Sequence, residues 1–159
     1  MLDKDVMKYK TPYNSFTLIE LIISVSVLLI ISSVLVLKVN PTDSRKKARD
    51  NTRLINTAEI DRAINEYLLD NTSYPGLPNT LYKSTNINWI PSSLSKYITV
   101  LPIDPLNKDT NFYYYMHNGN SYEINATLEY FSDLMTSDNG NQNSVYEVGN
   151  NLTIISGSN

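Results

Sequence analysis

From Phe16 to Leu37 the only charged residue is Glu20, and the apolar run closes at Val39. About twenty apolar residues is the length a helix needs to cross a bilayer. A carboxylate within such a run costs on the order of 2–3 kcal/mol, so Glu20 marks itself as a functional candidate. Its position near the start also allows it to reach toward the headgroups. Ser24, Ser26, Ser32 and Ser33 suit the same helix, because a hydroxyl bonds back to the carbonyl one turn earlier. Small residues also let neighbouring helices approach.

Asn40-Pro41-Thr42-Asp43-Ser44 interrupts the run. Proline lacks an N–H and disfavours helix at the residue before it, and Thr42, Asp43 and Ser44 are good caps for a restart. From Arg45 to about Leu69 a helix is expected again. Ile60, Ala63, Ile64, Tyr67 and Leu68 form its apolar stripe, with Glu59, Asp61, Arg62 and Glu66 largely off it. Asp70 to Gly76, containing Pro75, ends it.

Beyond that point the period shortens. Phe112–His117, then Asn118-Gly119, then Asn120–Leu128 predicts a hairpin with a tight type I′ turn. Tyr122, Ile124, Ala126 and Leu128 alternate with Glu123, Asn125 and Thr127, which predicts one buried sheet face. Val145–Val148 and Leu152–Ile155 are further strand candidates. Pro75 to Lys96 reads as loop with one helical turn near Ser92–Lys96. A small antiparallel sheet needs a partner for its apolar face, and the Tyr67–Leu68 stripe supplies one. The fold class is α+β: a long N-terminal helix, membrane half then amphipathic half, packed against a small antiparallel sheet.

Composition narrows the function. The 159 residues carry a net charge of −3, which argues against a basic nucleic-acid binder, and no specific nucleic-acid site is evident. There is no cysteine, excluding disulfides and thiolate metal sites. Twelve tyrosines among many asparagines suggest an exposed, hydrogen-bonding surface. The apolar run is too long for a signal-peptide core and no A-x-A site follows it, so it is expected to stay in the product. No G-x-S-x-G, H-E-x-x-H or phosphate-binding glycine loop occurs. An enzyme is not expected. His117, the sole histidine, reads as a surface or strand-end residue, and Asp104, between two prolines, as a turn residue.

The segment Ser15-Phe16-Thr17-Leu18-Ile19-Glu20-Leu21-Ile22 resembles the prepilin cleavage and methylation site of type IV pilins and type II secretion pseudopilins. The resemblance extends through Ala48-Arg49-Asp50, Tyr67 and Tyr74-Pro75 to Leu101-Pro102-Ile103-Asp104-Pro105 and the hairpin. It implies that prepilin peptidase cuts between Ser15 and Phe16, that Phe16 is N-methylated, and that Glu20 assists assembly. Ser15 stands where the family usually has glycine and keeps the small size. The lack of a C-terminal cysteine pair moves the likeness toward major pseudopilins and cysteine-free pilins. The implied organisation is a leader over 1–15, a transmembrane and assembly helix over 16–39, a soluble amphipathic helix over 40–71, and a globular head over 72–159.

The implied partners are other copies of the chain in a helical filament, prepilin peptidase, the membrane, and pilus or type II secretion machinery. The chain would sit in the cytoplasmic membrane, leader inside and C-terminal domain outside, and then join a surface or periplasmic filament. Arg45, Lys46, Lys47, Arg49 and Arg53, counted alone, favour the opposite orientation. Singly, each reads as part of a solvated helix face. Major pseudopilins bind calcium in a C-terminal loop, which makes Asp133 and Asp138 weak calcium candidates; they match no D-x-[DN]-x-[DN]-G pattern, and no cofactor is assigned. The alternative reading is a monomeric, single-pass, membrane-anchored extracytoplasmic binding module.

Overall fold

The computed structural model describes residues 16–38, 40–91 and 94–157, with the side chains of residues 34–38 outside the description. Residues to 40 and residues from 41 form two separate compact units. The first holds helix α1, Leu18–Lys38. Its described side chains are all exposed. Ser24 and Ser26 donate to the carbonyls of Glu20 and Ile22, and Ser33 to that of Ile30, each at 2.7 Å. The hydroxyls are thus satisfied by the helix's own backbone, as expected of serines in an apolar helix.

The second unit opens with helix α2, Pro41–Asn71. The helix starts at the proline rather than after it. Proline at the first helical position has no N–H to leave unsatisfied, and its φ is already helical. Thr42, Asp43 and Ser44 therefore lie inside the first turns instead of capping them. At the other end the Thr72 N–H donates to the Leu68 carbonyl at 2.8 Å, with Thr72 at φ 56°. That is a left-handed position normally given to glycine.

Four antiparallel strands follow in the order β1 (Tyr82–Lys83), β2 (Tyr113–His117), β3 (Tyr122–Ala126) and β4 (Tyr146–Gly149), each paired with the next. Helix α3, Ser132–Ser137, lies between β3 and β4 in sequence and packs on β4. The layout is α+β, with α2 against β3 and β4. Ile60, Ala63 and Ile64 of α2 are buried against Trp89, Ile90, Leu94, Ile98, Leu101, Ile124 and Ala126, with Tyr67 and Leu68 packed at the margin. Burying an isoleucine side chain contributes roughly 1.5–3 kcal/mol, so the predicted stripe holds the layers together.

Several expectations need correction. The tyrosines are core rather than surface: Tyr74, Tyr113, Tyr114, Tyr115 and Tyr122 are all buried. A ring offers large apolar area provided its hydroxyl finds a partner. Here Asn56 donates to Tyr113, Tyr115 donates to the Pro75 carbonyl at 3.1 Å, and Tyr122 donates to Asp61. The hairpin is present, with His117 opposite Tyr122, so its loop spans Asn118–Ser121 and is not a two-residue type I′ turn. The Asn118 side-chain oxygen accepts the N–H groups of Asn120 and Ser121 at 3.0 and 2.9 Å. An asparagine that turns the chain with its own side chain competes with the tight turn, and only Gly119 takes a positive φ, 95°.

Alternation also fails as a guide to exposure in β3, where Glu123 and Asn125 are as buried as Ile124. The second face is covered because residues 140–155 fold over it. Leu152–Ile155 form no strand. Instead the N–H groups of Ile154 and Ile155 donate to one oxygen of Glu123 at 2.7 and 2.8 Å. Ser92 and Ser93 of the predicted helical turn lie outside the described residues, and a turn occupies Ser95–Tyr97.

Candidate processing and assembly site

The start of α1 is set by a Thr-x-x-Glu spacing that the sequence reading overlooked. Thr17 lies just before the helix and Glu20 three residues on. The Glu20 N–H donates to the Thr17 hydroxyl at 3.3 Å, and that hydroxyl donates to the Glu20 carboxylate at 3.4 Å. This is the threonine half of a capping box, and the carboxylate also suits the positive end of the helix. Phe16 precedes it in non-helical backbone and is 71% exposed. A peptidase therefore meets Phe16 as an accessible residue, one helical turn from Glu20. Ser15, on the other side of the expected cut, lies outside the described residues, as does the leader. Among the described residues no helix is long and apolar enough to cross a membrane; the run read from sequence continues through residues 34–39, whose side chains are not described.

The basic cluster divides in two. Arg45 and Lys47 are exposed and Lys46 half-buried, and the Lys47 ammonium lies 4.3 Å from the centre of the Tyr130 ring. Arg49 instead binds Glu129 through two bonds, at 2.6 and 2.7 Å. Arg53 is fully buried, which overturns its reading as solvated. Its guanidinium donates to both oxygens of Asp104 at 2.6 and 3.1 Å, to Asp50 and Glu129 at 2.8 Å each, and to Asn111 at 3.1 Å. Burial opposes its charge, but the bonds to Asp104, Glu129 and Asp50 outweigh that and raise its pKa further. Asp104 is a turn residue as expected, accepting the Leu106 N–H at 2.8 Å, and is also the main partner of Arg53. Asp50 accepts the N–H groups of Glu129, Tyr130 and Phe131, at 2.7–3.1 Å. The charged hub ties α2 to the 102–105 segment and to the chain after β3.

Asp133 and Asp138, the calcium candidates, are used differently. Asp133 is exposed in the first turn of α3. Asp138 accepts the Gly140 N–H with one oxygen and the Glu147 N–H with the other, each at 2.9 Å. Among the described residues no group of three or more histidine, aspartate or glutamate side chains is placed to hold a metal ion. His117 ends β2 as expected but is buried, stacked between Tyr74 and Tyr115 at 5.5 and 6.0 Å. Burial lowers its pKa below 6.5, so the ring is neutral near pH 7.

The sequence reading missed a carboxyl pair on the covered face of the sheet. Glu147 stands across from Asn125, on the same face as Glu123, and the two carboxyls lie within hydrogen-bonding reach. Glu147 accepts the Gln142 N–H at 2.9 Å through the oxygen that Gly140 packs against. The remaining oxygen of each carboxyl has no donor among the described residues. Burial first, then the negative charges of Glu123 and Asp138, push the Glu147 pKa up to about 7. A carboxyl with a raised folded-state pKa binds its proton more tightly when folded, so stability falls as pH rises from about 4.5 through about 7. We expect the loss to be on the order of 2 kcal/mol. Glu129 works in the opposite sense: Arg49 and Arg53 hold its pKa near about 2, so its stabilisation is present above about 4.5 and lost as pH falls through about 2. Glu147→Gln, which mimics the protonated acid, should be about as stable at pH 8 as at pH 5. Urea unfolding of both proteins at the two pH values tests this, and an unchanged slope in the variant would count against the pair.

No curated protein and no solved structure gives a significant match to the chain. One protein-family description does match, confined to the segment around the α1 start. Over residues 12–36 the chain carries the prokaryotic N-terminal methylation motif, the hallmark of type IV pilin and pseudopilin prepilins.

Proposed function

We propose that the chain is a structural subunit of a type IV pilus or pseudopilus, matured by prepilin peptidase and polymerised through α1. The observation that carries this reading is the methylation motif over residues 12–36, at whose expected cut Phe16 is accessible and Glu20 lies one turn on. Cleavage before Phe16 frees an amine there. In an apolar bundle of helices, the Glu20 carboxylate of one subunit and the Phe16 amine of another stabilise each other, while either one left unpaired is costly. The pair then selects register, because a misplaced subunit strands a buried charge. The 21 residues of α1 correspond to about 31 Å of helix, close to the thickness of a bilayer core. Before assembly α1 would anchor the chain in the cytoplasmic membrane with the leader inside and the head outside. Its apolar side chains would then exchange lipid for neighbouring helices.

Intact-mass and N-terminal peptide mass spectrometry of the protein from native membranes and from sheared surface material tests the reading. The expected result is a chain beginning at N-methylated Phe16. A chain that keeps Met1 in cells with active prepilin peptidase would overturn it and favour a membrane-anchored monomeric module.

A further inference from the structure

The face of α2 turned away from the sheet has its own pattern. Arg45, Ala48, Thr52, Ile55, Glu59, Arg62, Glu66 and Leu69 recur at alternating steps of three and four, the spacing of a helix-pairing seam. Its members are exposed, apart from the half-buried Glu66. Ile55 and Leu69 are 59% and 80% exposed, apolar area that the sheet does not use. The charges along the helix are also sorted. Residues 41–53 hold five bases and two acids, whereas residues 54–71 hold four acids and one base. Arg49 and Arg53 are consumed by the hub within the subunit, which leaves Arg45, Lys46 and Lys47 as the basic end. At the acidic end Glu66 is paired with Arg62 and Asp70 with Lys96, leaving Glu59 and Asp61 in excess. The last turn of α2 carries no base, although the negative helix terminus would favour one.

From this we infer that the outward face of α2 packs against α2 of a second copy shifted along the helix axis, the basic Arg45–Lys47 end of one meeting the acidic Glu59–Glu66 stretch of the next. The occupant follows from charge complementarity. A seam basic at one end and acidic at the other repels an unshifted parallel copy and attracts a displaced one. Such a contact uses different patches on the two partners, so it is heterologous and propagates rather than closing. The shift is the helical distance from Arg45 to Glu59, fourteen residues or about 21 Å, or at most to Glu66, about 32 Å. The inference rests on the filament reading and adds to it a second selector of axial register, remote from Glu20.

The chain has no cysteine, so a double variant Arg45→Cys, Glu59→Cys introduces its only thiols. The two positions are about 21 Å apart on one helix, too far for a disulfide within one chain. Oxidised filaments of the full-length protein should therefore give a ladder of covalent oligomers, whereas an Arg45→Cys, Leu77→Cys pair should not. Glu59→Lys with Glu66→Lys should lower filament yield at least tenfold, and adding Arg45→Glu and Lys47→Glu should restore most of it. The restoring variant guards against a folding defect in the first. Filaments at normal yield with no ladder above the control and no response to charge reversal would overturn the seam while leaving the filament reading intact. Unprocessed wild-type chains and no filaments would overturn both, a result that the mass of the wild-type chain distinguishes.

Discussion

Replacing Arg53 with alanine is expected to lower the unfolding free energy of the head by about 3–5 kcal/mol, the usual cost of removing one partner from a buried ion pair. The side chains of Arg53 and Asp50 are fully buried and that of Asp104 is 1% exposed. Without the guanidinium, two carboxylates remain in an environment that disfavours their charge. Asp50 keeps its backbone donors, but Asp104 loses both of its bonds to α2. A domain is stable by only about 5–15 kcal/mol, so the loss should lower the midpoint of thermal unfolding by on the order of 10–20 °C. Arg53→Lys should recover only part of this, because an ammonium cannot offer the planar fork that Asp104 grips. Urea and thermal unfolding of the detergent-solubilised chain give the answer. A loss below about 1 kcal/mol would mean that the hub behaves like a surface pair and does not hold α2 to the 102–105 segment.

The same hub shows where the sequence was readable and where it was not. The apolar part of the α2 stripe, Ile60 to Leu68, was legible because its spacing and chemistry agree. Continued backward at the same spacing, the stripe passes through Thr57, Arg53 and Asp50, all of them buried. The periodicity was there, but charged residues are seldom buried unless paired. Their partners, Asp104 and Glu129, lie 51 and 76 residues away from Arg53. No local pattern announces a pairing at that range.

Glu123 and Asn125 failed for a related reason. Strand alternation assigns them to one face, and only the return of residues 140–155 turns that face into interior. The hairpin is the intermediate case. Asn118-Gly119 marked its place, but the loop type depended on which way the Asn118 side chain turned. At the N-terminus, by contrast, the motif is contiguous, its chemistry is local, and most of it was legible. The Thr17–Glu20 spacing was equally local and was missed because attention went to the charge of Glu20 rather than to its position three residues after a threonine.

That overlooked spacing sharpens the second large prediction. Glu20→Ala is expected to reduce filament yield on the order of a hundredfold or more, the equivalent of about 3 kcal/mol, without blocking membrane insertion. Alanine, however, removes two things: the charge that would meet a Phe16 amine, and the carboxylate that bonds to Thr17 at the helix start. Glu20→Gln separates them. Glutamine serves in a capping box as glutamate does, so the first turn of α1 should persist, but the side chain is neutral. If charge pairing selects register, Glu20→Gln should fail almost as badly as Glu20→Ala, because the amine of the incoming subunit is left buried and unpaired. Thr17→Ala, which weakens the cap by about 1 kcal/mol and leaves the charge in place, should then assemble to within about tenfold of the native protein. Shearing, fractionation and quantification of the polymer for the three variants decide the matter. Normal filaments from Glu20→Gln together with a large defect in Thr17→Ala would assign Glu20 to the start of the helix and remove the charge pair from the account of assembly.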